Sequence, residues 1–112
     1  MTGSNARYLV QTHETIEVAM LLIEENRHRS VVVLEGDTVV GTLSDGDIRK
    51  AILDRRLLTT PVEHVMNMNF VSLRDDDRDR ARELFQGEDL FLIPVVDADG
   101  KLVDVETAYP GG

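Results

Sequence analysis

The apolar positions of this 112-residue chain fall into two successive runs with one layout. Ile16, Met20 and Ile23, with Ala19 and Leu22 beside them, recur at i, i+3, i+4 and i+7, which predicts an amphipathic helix. Thr12 is its expected N-cap, with Glu14 in the first turn, and the polar run from Glu24 to Arg29 ends it. Val10 to Thr12 predicts a short leading strand. Ser30 to Leu34 is rich in Val and reads as a buried strand. Gly36-Asp37 then forms a tight hairpin turn, and Thr38 to Leu43 is the return strand. Ser44-x-x-Asp47 resembles a capping box with Asp in place of Glu or Gln. Ile48, Ala51, Ile52 and Leu53 give the helix that follows its stripe, closing around Arg55. Thr60-Pro61-Val62-Glu63 sets Thr at N-cap, Pro at N1 and Glu at N3 of a short helix through Met66.

The second run repeats the first. Phe70 to Leu73 is a strand, and Asp75, Asp76 and Asp77 open a helix where negative charge suits the macrodipole. Ala81, Leu84 and Phe85 are its buried face, and Gly87 is placed at C′. Leu90 to Val96 and Lys101 to Val105 form a hairpin across Asp99-Gly100. Val31 to Gly41 therefore returns as Pro94 to Asp104, and an internal repeat of this kind sets the architecture. The order is β-α-β-β-α, a linking helix, then β-α-β-β, an α+β fold. Neither copy is large enough to bury much alone, so the two should pack together, with a ligand cleft between them.

Composition narrows the function. A hydrophobic fraction of 42% supports a packed core, and 4% aromatics leave that core to Val, Leu and Ile. The absence of Cys excludes disulfides and thiolate metal sites and fits a cytoplasmic chain. No apolar run approaches the roughly 18 residues of a membrane span. Met1 to Arg7 lacks the apolar segment of a secretion signal and reads as a frayed lead-in. A net charge of −9 argues against nucleic acid or anionic membrane as partners, and a phosphate ligand would need strong local donors.

Those donors centre on Ser44 and Asp47. A helix N-terminus offers unpaired N–H groups to phosphate, and an Asp one turn in can accept two hydrogen bonds from a ribose diol. The same residues also suffice as helix caps, worth about 1 kcal/mol, and on spacing alone that reading is the stronger. Arg27 and Lys50 read as solvated charge. His28, Arg29 and Arg49 stay open between solvated charge and phosphate contact, for which Arg has the bidentate geometry. Asp75, Asp76, Asp77 and Asp79 interleave with Arg78, Arg80 and Arg82, which suits a solvated helix start and not a metal loop. His13, His28 and His64 have no paired ligand spacing, so no metal site is expected. No nucleophile–base set occurs, so no residue is assigned a catalytic role and the chain is not expected to be an enzyme.

Three stretches resemble the cystathionine-β-synthase (CBS) domain family in its tandem form, the Bateman module. Val40-Gly41-Thr42-Leu43-Ser44-Asp45-Gly46-Asp47-Ile48-Arg49 is similar to the family's G-h-h-[ST]-x-x-D-h-R/K segment. Pro61-Val62-Glu63-His64-Val65-Met66 is similar to the segment that opens a second motif, and Ile93-Pro94-Val95-Val96-Asp97 before Asp99-Gly100 to its strand and turn. The resemblance covers Tyr8 to Thr107. It implies a pseudo-twofold pair of CBS motifs, each β-α-β-β-α, the second truncated after its last strand. The expected division is a flexible lead-in at 1–7, motif 1 at 8–60 and motif 2 at 61–112.

By resemblance, Ser44 and Asp47 would meet the phosphate or ribose of an adenosine ligand (AMP, ADP, ATP or S-adenosylmethionine). Val10, Gln11, Val31 and Val32 would line its adenine slot, although each valine alone reads more simply as core. Thr107 and Pro110 stand at the positions of Ser44 and Asp47 in the second copy, so at most one good nucleotide site is expected. The implied function is a regulatory ligand sensor; the alternative is a dimerisation module without nucleotide. Ser44 to Arg49, Met66-Asn67-x-Asn69-Phe70 and the ending Leu102-Val103-Asp104 further resemble CBS pairs preceding sugar-phosphate nucleotidyltransferases. A C-terminal nucleotidyltransferase and a homodimer through the CBS pair are the partners this implies.

Overall fold

The computed structural model describes residues 3–87 and 90–109. Two three-stranded sheets are present among them. The first orders β1 (Leu9–Gln11), β2 (Ser30–Glu35) and β3 (Thr38–Ser44), with β1 parallel and β3 antiparallel to β2. The second repeats this with β4 (Leu73–Arg74), β5 (Leu92–Val96) and β6 (Leu102–Thr107). Helix α1 (Ile16–Asn26) crosses from β1 to β2, α2 (Asp45–Leu53) follows β3, and α3 (Ala81–Gly87) links β4 to β5. The expected α+β pair is the observed architecture among the described residues.

Strand β2 explains why the two copies need each other. Val31, Val32, Val33 and Leu34 are all buried, although neighbouring strand residues point to opposite faces. Val31 and Val33 enter a core with Ile16, Ala19, Ile48 and Ala51 from the helices of the first copy. Val32 and Leu34 enter a different core with Tyr8 and Val39 of the first copy and Leu92, Val96 and Val105 of the second. Strand β5 splits likewise, Ile93 and Val95 facing Ala81 beneath α3, and Leu92 and Val96 facing the seam. The hairpin ends also join directly. Val39 N–H donates to the Gly100 carbonyl at 3.0 Å and Leu102 N–H to the Asp37 carbonyl at 2.9 Å. Gly36 (φ 65°) and Gly100 (φ 82°) take the left-handed backbone that these turns require.

Several element boundaries differ from expectation. The α1 cap is Thr15, whose hydroxyl accepts from Val18 N–H, because Thr12 N–H still extends the β1–β2 ladder to the Leu34 carbonyl. Pro61, not Thr60, caps a 3₁₀ turn at Val62–His64, since Ile16 N–H binds the Thr60 carbonyl and holds that segment extended beside α1. The expected strand from Phe70 contracts to Leu73–Arg74. The Asp-rich start is a 3₁₀ turn, Asp75–Arg80, and Gly87 is the last residue of α3 and not its C′. Ile52 and Leu53 are exposed, because the nine-residue α2 buries only Ile48 and Ala51. Met20 also sits on the outer edge of its stripe. The lead-in expected to fray instead forms a 3₁₀ helix from Gly3 to Tyr8.

That lead-in is fixed by a buried polar knot. Asn26 Nδ2 donates to the carbonyls of Arg7 (2.9 Å) and Ser30 (3.1 Å), and Asn26 Oδ1 accepts from His28 N–H at 2.7 Å. Asn26 and His28 are both fully buried. Asn26→Ala strands one buried and two part-buried backbone groups and is expected to cost about 2–4 kcal/mol in urea denaturation; a loss below about 0.5 kcal/mol would mean that water replaces the amide freely.

Candidate functional site

The cleft on the seam begins at the β3–α2 junction. Ser44 leaves β3 extended and caps α2, its hydroxyl accepting from Asp47 N–H at 3.2 Å. Asp47 closes the box, Oδ2 accepting from Ser44 N–H and from the Ser44 hydroxyl, both at 3.0 Å. Both bonds end on one carboxylate oxygen, so capping and binding of a further hydroxyl are compatible in this geometry. Gly41 is required one turn earlier. A Cβ there would lie 2.7 Å from Met66 Sδ and 3.1 Å from the Asn67 carbonyl. That close approach lets Thr42 and Asn67 exchange backbone hydrogen bonds at 2.8 and 3.1 Å, which brings the linker to the cleft.

The cleft measures about 650 Å³, and its opposite wall is Phe70, Val71 and Leu90 to Leu92 of the second copy. Ser44, Asp47, Arg29 and Arg49 all line it, as do Asn67 and Asn69. Arg29 lies with its guanidinium 4.9 Å over the Phe91 ring. The helix tip, two carboxylates (Asp45 and Asp47), two guanidiniums and an apolar wall therefore converge on one space, a set suited to a ligand with an anionic end, a hydroxylated middle and a flat apolar end.

Five expected binding residues lie elsewhere. Val10 and Val31 are in the core of the first copy and Val32 is in the shared core. Gln11 is spent on the hairpin turn, bonding Gly36 through Nε2 (3.1 Å) and Oε1 (3.0 Å). None of these four lines the open cleft, whose apolar wall facing Ser44 comes from the other copy, through Phe70, Val71 and Leu92. His28 belongs to the buried knot and does not reach this cleft.

Strand registers define the equivalent place on the other side of the seam. Val33 pairs with Val10 and Gly41, and Val95 with Leu73 and Asp104. Asp45 N–H donates to the Arg29 carbonyl at 2.9 Å, and Ala108 N–H to the Phe91 carbonyl at 3.0 Å. By this superposition Val71, Leu90 and Gly46 of the open cleft correspond to Tyr8, His28 and Tyr109. These three fill the second cleft. Tyr109 stacks on His28 (centroids 4.6 Å apart, 27° between planes), and Tyr8 meets His28 edge-on at 5.4 Å. His28 Nε2 lies 2.6 Å from the Tyr109 carbonyl, and Nδ1 lies 2.8 Å from the Asn26 carbonyl and 3.2 Å from the Tyr8 hydroxyl. The Tyr109 hydroxyl donates to the Arg27 carbonyl at 2.8 Å. Pro110, expected in place of Asp47, lies outside the described residues.

Asp104, which stands where Gly41 stands in the first copy, is accommodated by an ion-pair cluster. Its carboxylate accepts from Asn5 Nδ2 at 3.0 Å and from Arg78 at 2.6 Å, while Arg78 also reaches Glu106 at 2.8 Å and Asp75 at 3.3 Å. Burial alone would raise the Asp104 carboxyl, but the bonds from Val105 N–H, Asn5 and Arg78 outweigh it and hold the group below the usual carboxylate range.

Comparison with known proteins places this architecture in a class. Two β-α-β-β units lie back to back with a helix-tip cleft on their seam, and residues 8–54 match the CBS domain family. Residues 8–54 are thus a CBS domain, and the two units together have the fold of solved CBS pairs. Arabinose 5-phosphate isomerase GutQ of Salmonella typhi is 33% identical over 99 residues, covering 84% of this chain and 31% of GutQ. The chain therefore spans about a third of the length of that relative. CBSX2 of Arabidopsis thaliana, solved in complex with AMP, is 27% identical, covers 88% of this chain and 79% of its own, and superposes with a TM-score of 0.70. The CbpB protein of Listeria monocytogenes, in complex with c-di-AMP, is 26% identical with a TM-score of 0.71, covering 88% and 78%.

The Asp104 cluster makes an acid test. A depressed carboxyl contributes stability above its unfolded value of about 3.9, and the contribution disappears as pH falls through the lower folded value. Arg78→Ala is expected to cost about 1 kcal/mol at neutral pH and to shift the acid-unfolding midpoint upward in circular dichroism. An unmoved midpoint would assign the hold on Asp104 to Asn5 and Val105 alone.

Proposed function

We propose that this chain is a regulatory ligand sensor that binds one adenosine nucleotide in the open seam cleft. The observation that carries this reading is the convergence of Ser44, Asp47, Arg29 and Arg49 opposite Phe70 and Val71 across the seam. The positive end of the α2 dipole and the two guanidiniums receive phosphate. Asp47 accepts from the ribose hydroxyls while it keeps its box. Phe70, Val71 and Leu92 hold the purine. Local cations are needed because the net charge of −9 repels a phosphate at longer range. Solved CBS pairs bound to AMP and c-di-AMP support the ligand class. The chain performs no catalysis in this reading, acts in the cytoplasm and governs a catalytic domain that handles phosphorylated sugars. The sequence points to a nucleotidyltransferase for that domain, and the GutQ relatives to an isomerase. Among the described residues no helix is long and apolar enough to cross a membrane.

Isothermal titration with AMP, ADP, ATP and S-adenosylmethionine tests this. One site per chain is expected for at least one of them, and Asp47→Ala is expected to weaken it about tenfold or more, the loss of one charge-assisted hydrogen-bonding group. Two equivalent sites, or no heat from any of the four, would refute it.

A second reading, self-association, has its own support. Val18, Met20 and Leu21 on α1 and Ile52, Leu53, Leu57 and Leu58 at and after the end of α2 are exposed, Leu21 by 67% and Leu53 by 76%. Apolar groups of this number on adjacent elements mark a contact surface. A homodimer through these helices is proposed. Light scattering is expected to give twice the chain mass, and Leu21→Lys with Leu53→Lys to halve it; a wild-type monomer at 100-fold dilution and at high concentration alike would exclude it.

A further inference from the structure

The two clefts are joined by one line of stacked groups. Arg29 and Phe91 both line the open cleft, and the Arg29 guanidinium covers the Phe91 ring. The Phe91 ring meets Tyr109 edge-on at 6.4 Å, and Tyr109 stacks on His28 in the filled cleft. The backbone beneath is strained: Arg27 (φ 61°) and Arg29 (φ 62°), on either side of His28, both take the left-handed conformation, which residues with a Cβ rarely adopt. Such conformations persist where the surroundings over-determine them, and they gather at clamps and switches. Here the restraints are the Asn26 bonds to His28 and the Tyr109 contacts to His28 and Arg27.

We propose that Arg29 is a two-position latch that couples the open cleft to Tyr109. Its first position is over the Phe91 ring. An anionic ligand gives it a second position, because a charge-assisted Arg–phosphate pair is stronger than an exposed cation–π contact. Withdrawal of Arg29 uncovers the Phe91 ring that abuts Tyr109, and the relaxation of the left-handed turn at residues 27–29 removes the carbonyl that holds the Tyr109 hydroxyl. Occupancy of one cleft thus releases the chain's own aromatic from the other, and with it the segment that leaves β6. The latch rests on the nucleotide reading of the open cleft. Its two states differ in affinity for the ligand, which is what regulation requires.

Linkage makes the latch measurable from either end. The chain has two tyrosines, so 3-fluorotyrosine labelling gives two ¹⁹F resonances, and Tyr8→Phe assigns them. On titration with AMP the Tyr109 resonance is expected to move toward its solvent-exposed value, with the midpoint found by calorimetry. Conversely, Tyr109→Ala is expected to bind AMP about fivefold tighter or more, and Tyr109→Leu to change in the same direction should the alanine variant fold poorly. Calorimetric binding of AMP with an unmoved Tyr109 resonance and an unchanged Kd in both variants would overturn the latch and leave the site intact. Absence of AMP binding in the wild type and in both variants would overturn the site and the latch together.

Discussion

The structure depends on strands that are buried on both faces. β2 and β5 each send alternate residues into two different interiors, one closed by their own helices and one by the opposite copy. A three-stranded sheet with one helical cover would leave Val32, Leu34, Val39, Leu92 and Val96 in water. At about 25 cal/mol per Å² of apolar surface, exposure of five such side chains would cost a small domain most of its margin. The pairing of the copies is thus a condition of folding, and the seam is as permanent as the core. Rigidity there matters for recognition, because a cleft walled by both copies holds its two sides at fixed separation.

The same pairing imposes near-symmetry, and the differences between the two sides assign them different tasks. On the open side small or polar residues stand at the helix tip, Ser44, Gly46 and Asp47, with room beyond them. On the other side Tyr109 stands where Gly46 would, His28 where Leu90 would, and Tyr8 where Val71 would, and the space is consumed by rings. Asp104 could not take the place of Gly41, because the linker carbonyl of Asn67 approaches there. In the second copy the neighbour is Asn5, which donates to it instead. The two copies of one unit thus present one open cleft and one occupied by the chain's own rings.

Much of this is visible in the primary structure. The repeat, the two hairpins with their glycine turns, the α2 capping box and the burial of the valine-rich strands all follow from local pattern, since each is set by neighbours a few residues apart. The partition of the site was not legible. Ser44 and Asp47 stood out through their spacing, but the apolar wall they face belongs to Phe70, Val71 and Leu92, some 25 to 48 residues further on, and periodicity carries no information about which strand crosses the seam. His28 was misplaced for a similar reason. Its neighbours Arg27 and Arg29 suggested a charged surface run, whereas two left-handed residues turn the chain inward at that point and bury the imidazole among Tyr8, Asn26 and Tyr109.

A crystal structure of the chain grown with AMP measures the decisive quantity, the position and number of bound nucleotides. One molecule per chain is expected, its phosphate at the α2 tip, its ribose on Asp47 and its purine against Phe70 and Val71. A nucleotide seated instead among Tyr8, His28 and Thr107, or equal density in both clefts, would contradict a seam with one open and one filled side.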